Sequence, residues 1–144
     1  SYEKPRQLTH PTLQKKDHIA KLKLPEHLPG INIPAAMAQL NNNHKLLRSL
    51  LLEFARDYSQ TSQTIRKTLK SDRLEDINSA KIMVHTVKGI AGNLAAQMLF
   101  ETAATLEKGI KETDTELLPV LLDDFEKQMQ HIYDSADILL AQEE

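Results

Sequence analysis

The chain has 144 residues, and 18 Lys+Arg against 20 Asp+Glu give a formal net charge of −2. That length suits one domain with a real core, and the absence of Cys excludes a disulfide framework, a thiol nucleophile and a cysteine-ligated zinc or iron–sulfur centre. The near-zero charge, only three Tyr and three Phe, and no run near ~18 apolar residues exclude phosphate-driven nucleic-acid binding, a base-stacking platform and a membrane span.

The N-terminus has no basic-then-apolar signal pattern and starts at Ser1, so we expect a cytoplasmic domain of something larger. Residues 1–30 hold Pro5, Pro11, Pro25 and Pro29 among many Lys and His, and their apolar residues lack a helical period. Residues 1–24 read as a linker or flexible arm, and residues 25–144 as the domain.

From Ile31 onward the pattern is helical, with almost no Gly to punctuate strands. Pro34 suits the first turn of a short helix, Ala35 to Leu40. Asn41, Asn42 and Asn43 then break the chain and offer a cap. The next helix carries Leu46, Leu47, Leu50, Leu51 and Phe54 as one stripe. It continues through Tyr58, Ile65 and Leu69, with polar Ser59 to Thr64 as the place for a bend. Asp72 and Glu75 have capping-box spacing and open a third helix that runs to about Asn93. A fourth spans about Ala95 to Lys111. Thr113 with Glu116 opens a last helix along Leu117, Leu121, Phe125, Met129, Ile132, Ala136 and Leu140, which Pro119 should kink or delay. The connections are short, so neighbours should be antiparallel. The expected fold is all-α: an antiparallel four-helix bundle with a short extra N-terminal helix and an irregular N-terminal arm.

The third helix carries the chemical signal. At about 100° per residue, Ile77, Ala80, Met83, Val84, Val87, Ile90, Ala91 and Leu94 share a core face. The opposite face carries Asn78, Lys81, Ile82, His85, Lys88, Gly89 and Gly92. Each mid-helix Gly costs about 1 kcal/mol relative to Ala, so two in one turn need a reason. Bare backbone beside His85 lets another molecule approach the imidazole. Lys81 and Lys88, one turn either side, disfavour the imidazolium and favour the neutral, nucleophilic ring. They also suit an incoming phosphoryl group. Apolar Ile82 on this wet face marks a docking point. A lone exposed His, a surface Lys or a packing glycine means nothing alone. The signal is the conjunction H-x-x-K-G-x-x-G with its glycines on the histidine side.

Phe100, Ala104, Glu107 and Lys111 form one stripe on the fourth helix. If that helix runs antiparallel to the third, Glu107 returns to the level of His85. A carboxylate accepting from Nδ1–H would leave Nε2 as the free nucleophile. Small Ala104 leaves room beside the ring. The ordinary alternative, a surface acid paired with Lys108 or Lys111, stays open.

The stretch VHTVKGIAGNLAA (84–96) closely resembles the signature of histidine-containing phosphotransfer (HPt) domains, roughly A-H-T-L-K-G-S-A-G-N-I-G-A. LPGINIPAAMAQLNNNHKLLRSLLLEFARDY (28–58) resembles the lead-in of HPt modules at the C-terminal end of hybrid sensor histidine kinases, as does the Leu106-Glu107 pair. The resemblance covers about residues 28–140. It implies that His85 accepts a phosphoryl group from a receiver aspartate and passes it to another. It implies that Lys88 stabilises that group, that Gly89 clears space for the receiver, and that Glu107 holds the other ring nitrogen. Lys81, Ile82, Thr86, Gly92 and Ala104 complete the expected binding surround. Ala95 departs from the pattern by replacing its last glycine, which puts the turn geometry in question.

The resemblance further implies no cofactor of this domain's own, with Mg²⁺ on the receiver. Expected partners are response-regulator receiver domains and the parent hybrid kinase, with no nucleic acid, no membrane contact and a monomeric state. The expected location is cytoplasmic, tethered to a membrane-bound sensor. The chain has no ATP-binding glycine loop, so it is a carrier without kinase activity. Other readings are a receiver-docking module without transfer and a histidine kinase dimerisation domain, whose usual acid and proline after the histidine are absent here. No metal is expected, since His10, His18, His27, His44 and His131 lack i, i+4 pairing.

Overall fold

A computed structural model describes residue 19 and residues 22–144. Among them six helices and no strand occur: α1 (Ile33–Gln39), α2 (His44–Asp57), α3 (Thr61–Thr68), α4 (Leu74–Asn93), α5 (Gln97–Lys111) and α6 (Leu118–Glu143). The expected all-α class is therefore met. α2 and α3 together make one wall; α4, α5 and α6 make the other three, each packed on its neighbour in chain order, and α6 closes on α2. The expected linker over residues 1–24 falls almost wholly outside the described residues. Its described end touches the bundle, where Leu24 packs on the core and the Lys23 carbonyl accepts from Gln142.

The core follows the helical period. Leu47, Leu51 and Phe54 of α2 meet Ala80, Val84, Val87 and Ala91 of α4, Leu99, Ala103 and Leu106 of α5, and Phe125, Met129 and Ile132 of α6. Burying each large side chain contributes about 1.5–3 kcal/mol. On α6 the buried stripe ends at Leu139, whereas Leu117 and Leu140 are exposed. The stripe expected through those two residues is thus corrected at both ends, because Leu122, Phe125, Met129, Ile132, Ala136 and Leu139 keep the tighter three-and-four spacing.

Several helix ends differ from expectation. Asn32 caps α1 through Ala35 N–H, so this helix begins two residues early; Asn43 caps α2 through Leu46 N–H as expected. The long second helix is broken into α2 and α3 at Tyr58–Gln60. Tyr133 Oη donates to the Tyr58 carbonyl at 2.7 Å, which ties that carbonyl to α6. Asp72 does not cap α4. Ser71 Oγ accepts from Arg73 N–H, and Glu75 pairs with Arg73 instead. Asp114, not Thr113, accepts from Leu117 N–H before α6. Pro119 stands in the first turn of α6, where its missing N–H costs nothing, so it delays the helix without kinking it. α5 starts at Gln97, not Ala95, because Ala95 takes a left-handed φ of +54° at the turn.

One end of the bundle is closed by a buried arginine. Arg48 donates to the Leu139 carbonyl at 3.2 Å and to Gln142 Oε1 at 2.7 Å, and lies 3.9 Å from Glu143. It thereby satisfies the carbonyl end of α6, where positive charge is favoured.

The segment before α1 turns at Gly30, with φ +76° and a bond from Ile31 N–H to the Leu28 carbonyl. A methyl there would stand 2.9 Å from Ile132 Cδ1 and 3.1 Å from His131 Cβ. Gly30→Ala should therefore lower stability by about 1–2 kcal/mol, from left-handed strain and overpacking together. Urea denaturation should show a lower midpoint with unchanged slope; an unchanged midpoint would contradict the close contact.

Candidate functional site

α4 and α5 are joined by the three-residue turn Leu94–Ala96 and run antiparallel. Two contacts set their register. Gly92 faces Phe100, whose ring carbons would lie 3.7–3.8 Å from a methyl at that position. Nearly two turns back, His85 Nδ1 lies 2.7 Å from Glu107 Oε2. Ala95 takes in this turn the conformation that a glycine adopts freely, so the departure from the motif leaves the turn in place at a cost of about 1–2 kcal/mol.

The His85 side chain is 69% exposed and Glu107 only 21%. Glu107 uses both oxygens: Oε2 meets His85, and Oε1 accepts from Lys88 Nζ at 2.9 Å. Burial pushes the Glu107 carboxyl up, but the bonds from Lys88 and His85 and their charges outweigh this and hold it below the ordinary carboxylate range. An ionised carboxylate can only accept, so the ring proton belongs on Nδ1. Nε2 is then the nitrogen with the free lone pair, on the exposed part of the ring.

The structure thus brings His85, Lys88 and Glu107 together. Glu107 is not an ordinary surface acid paired with Lys108 or Lys111. Lys88, expected beside an incoming group, is held by Glu107 and is itself only 23% exposed. Ile82 is 64% exposed. Thr86 is exposed, and its hydroxyl donates back to the Ile82 carbonyl at 3.0 Å, within the helix. A Cβ added to Gly89 would meet nothing within 4 Å, so that position is open space. Gly92 is half-buried beneath Phe100, away from the ring. Ala104, half-buried, sits one turn before Glu107 on α5. Lys81, Ile82, His85, Glu107 and Lys111 line a shallow open cleft. Lys111 was legible on the Glu107 stripe and as an alternative partner for Glu107; its membership of this cleft depends on the helix register. Among the described residues no cluster of three or more His, Asp or Glu is placed to hold a metal ion. No described helix is long and apolar enough to cross a membrane.

The lowered Glu107 carboxyl links stability to pH. A group whose folded value is depressed contributes stability above its unfolded value, and that contribution is lost as pH falls through the folded value. The stability gap between the native chain and Glu107→Gln should be full above the ordinary value of 4.5 and close as pH falls below it. Urea titrations of both proteins across that range measure it; a gap independent of pH would contradict the ion pairing.

No curated protein and no solved structure matches the chain. A family model described as Hpt domain matches residues 46–137, from the first turn of α2 to the last turns of α6. That span is well over half the chain and includes the exposed histidine, its lysine and its carboxylate. The chain therefore belongs to the Hpt domain family, whose members carry phosphoryl groups on histidine in two-component signalling and are not kinases.

Proposed function

We propose that His85 is the phosphoryl-carrying residue, taking the group from an aspartate of one receiver domain and handing it to an aspartate of another. The observation that carries this reading is the 2.7 Å contact between Nδ1 and Glu107 beneath a ring that is otherwise exposed. The carboxylate keeps the proton on Nδ1 and the lone pair on Nε2, so the nucleophile is oriented before a partner arrives. In the transfer, the Nε2 lone pair attacks the phosphorus of the aspartyl phosphate. The N–P bond forms, the P–O bond breaks, and the aspartate leaves with the electron pair. The ring becomes an imidazolium, whose charge Glu107 stabilises at short range. Lys88 keeps Glu107 ionised and oriented. Return transfer to a second aspartate reverses the same steps.

The partner surface in this reading surrounds His85: Ile82 as the apolar contact, Lys81 and Thr86 beside it, and the bare backbone at Gly89. Gly92 and Ala104 act by letting α4 and α5 lie close. The domain works as a monomer and belongs to a larger hybrid sensor kinase on the cytoplasmic side. The likeness of residues 28–58 to the lead-in of such modules supports that assignment.

His85→Gln should keep the fold, because the side chain is exposed, and should abolish labelling from a phosphorylated receiver. Retained labelling in a folded variant would overturn the assignment. Gly89→Ala separates stability from function. With nothing within 4 Å of the new methyl, it should raise stability by about 1 kcal/mol. In a transfer assay it should slow acceptance from the receiver, and unchanged transfer would remove Gly89 from the docking surface.

A further inference from the structure

Lys88 is drawn away from the reacting nitrogen. Its ammonium is bonded to Glu107 Oε1, and it does not line the cleft beside His85. That cleft is lined instead by two other lysines, Lys81 and Lys111. The antiparallel register explains why. Lys81 is one turn before His85 on α4, and Lys111 is one turn after Glu107 on α5. In an antiparallel pair both steps go the same way along the bundle. Lys88 lies on the other side, level with Ala104. Side chains on a helix lean toward its N-terminus, so the His85 ring leans over the turn that carries Lys81 and Ile82. Among the described residues neither Lys81 nor Lys111 makes an ion pair.

We infer that Lys81 and Lys111 are the cations that meet the phosphoryl group on His85 Nε2, and that Lys88 is a positioning residue acting through Glu107. This rests on the reading of His85 as the carrier. A phosphoryl group on Nε2 carries up to two negative charges and enters a cleft with two unpaired ammonium groups. Drawing Lys88 to that group would cost its charge-assisted bond to Glu107, which the same ring needs in its phosphorylated form. Lys81 and Lys111 give up no partner.

The test uses the full chain, labelled with phosphoramidate so that no receiver is involved. ³¹P NMR across pH reads the second ionisation of the phosphoryl group on His85. Nearby cations favour its dianion, so the double variant Lys81→Gln/Lys111→Gln should raise that ionisation by about half a unit. Lys88→Gln should move it less, and should instead change the Nδ1–H resonance of the unphosphorylated ring. Lys111 is exposed and Lys81 only partly buried, and neither makes an ion pair, so the double variant should keep its fold, which circular dichroism checks. A larger shift in Lys88→Gln than in the double variant, or no shift in the double variant, would overturn this assignment and leave His85 in place. If the native chain takes no phosphate on His85, the carrier reading fails and this inference with it.

Discussion

One carboxylate shared between two basic side chains organises the site. Glu107 stands on α5, His85 and Lys88 on α4, and both contacts are under 3 Å. A carboxylate between an imidazole and an ammonium, four-fifths shielded from water, works in a medium where such bonds are stronger than at the surface. It holds the ring's tautomer, and the ammonium holds it ionised. Neither neighbour alone does both. An amide in its place would still accept from Nδ1–H, but would bring no charge to the imidazolium formed on phosphorylation.

That pairing requires α4 and α5 to keep one register, and much of the bundle serves this. Gly92 lets Phe100 lie against α4. Gly109 lets α6 approach α5 so closely that a methyl there would stand 2.6 Å from Leu121 Cδ1. The Leu94–Ala96 turn is fastened from outside by Asn32 N–H, which donates to the Ala95 carbonyl at 3.1 Å. The lead-in to α1 therefore braces the turn that positions the site. Arg48 and Tyr133 tie α6 to α2, so the wall behind α4 and α5 does not slide.

Helical periodicity made the core face of α4 and the exposed placement of His85 readable, since both depend on spacing within one element. Glu107 was readable because an antiparallel neighbour with a short turn has its register nearly determined. What was not readable depends on groups far apart in the chain. The break between α2 and α3 involves Tyr133, 75 residues from the carbonyl it binds. Capping-box spacing at Asp72 and Thr113 failed because Ser71 and Asp114 lay closer to the free N–H groups. Burial of Arg48 of α2 depends on α6, 91 residues along the chain, whose Leu139 carbonyl it binds. The hold of Glu107 on Lys88 needed the reach of a flexible side chain across two helices, which spacing along one helix does not supply.

The local charge differs from that of the whole chain. Lys81, Lys88 and Lys111 surround a single carboxylate, Glu107, so the site has a local excess of two positive charges in a chain whose net charge is −2. In the proposed role, a phosphoryl dianion on the ring would bring two negative charges, and the imidazolium it creates would return one positive charge. The loaded site thus keeps a small positive excess, and no buried carboxylate faces uncompensated negative charge. His85 and Lys111 are open to water, where screening keeps each interaction weak. Weak, numerous contacts around an exposed nitrogen suit a carrier better than one strong contact. In the proposed role they would let the site accept the group while leaving it reachable by the next aspartate, and the tightly bonded part of the network, Glu107 with Nδ1 and Lys88, stays on the side of the ring away from Nε2.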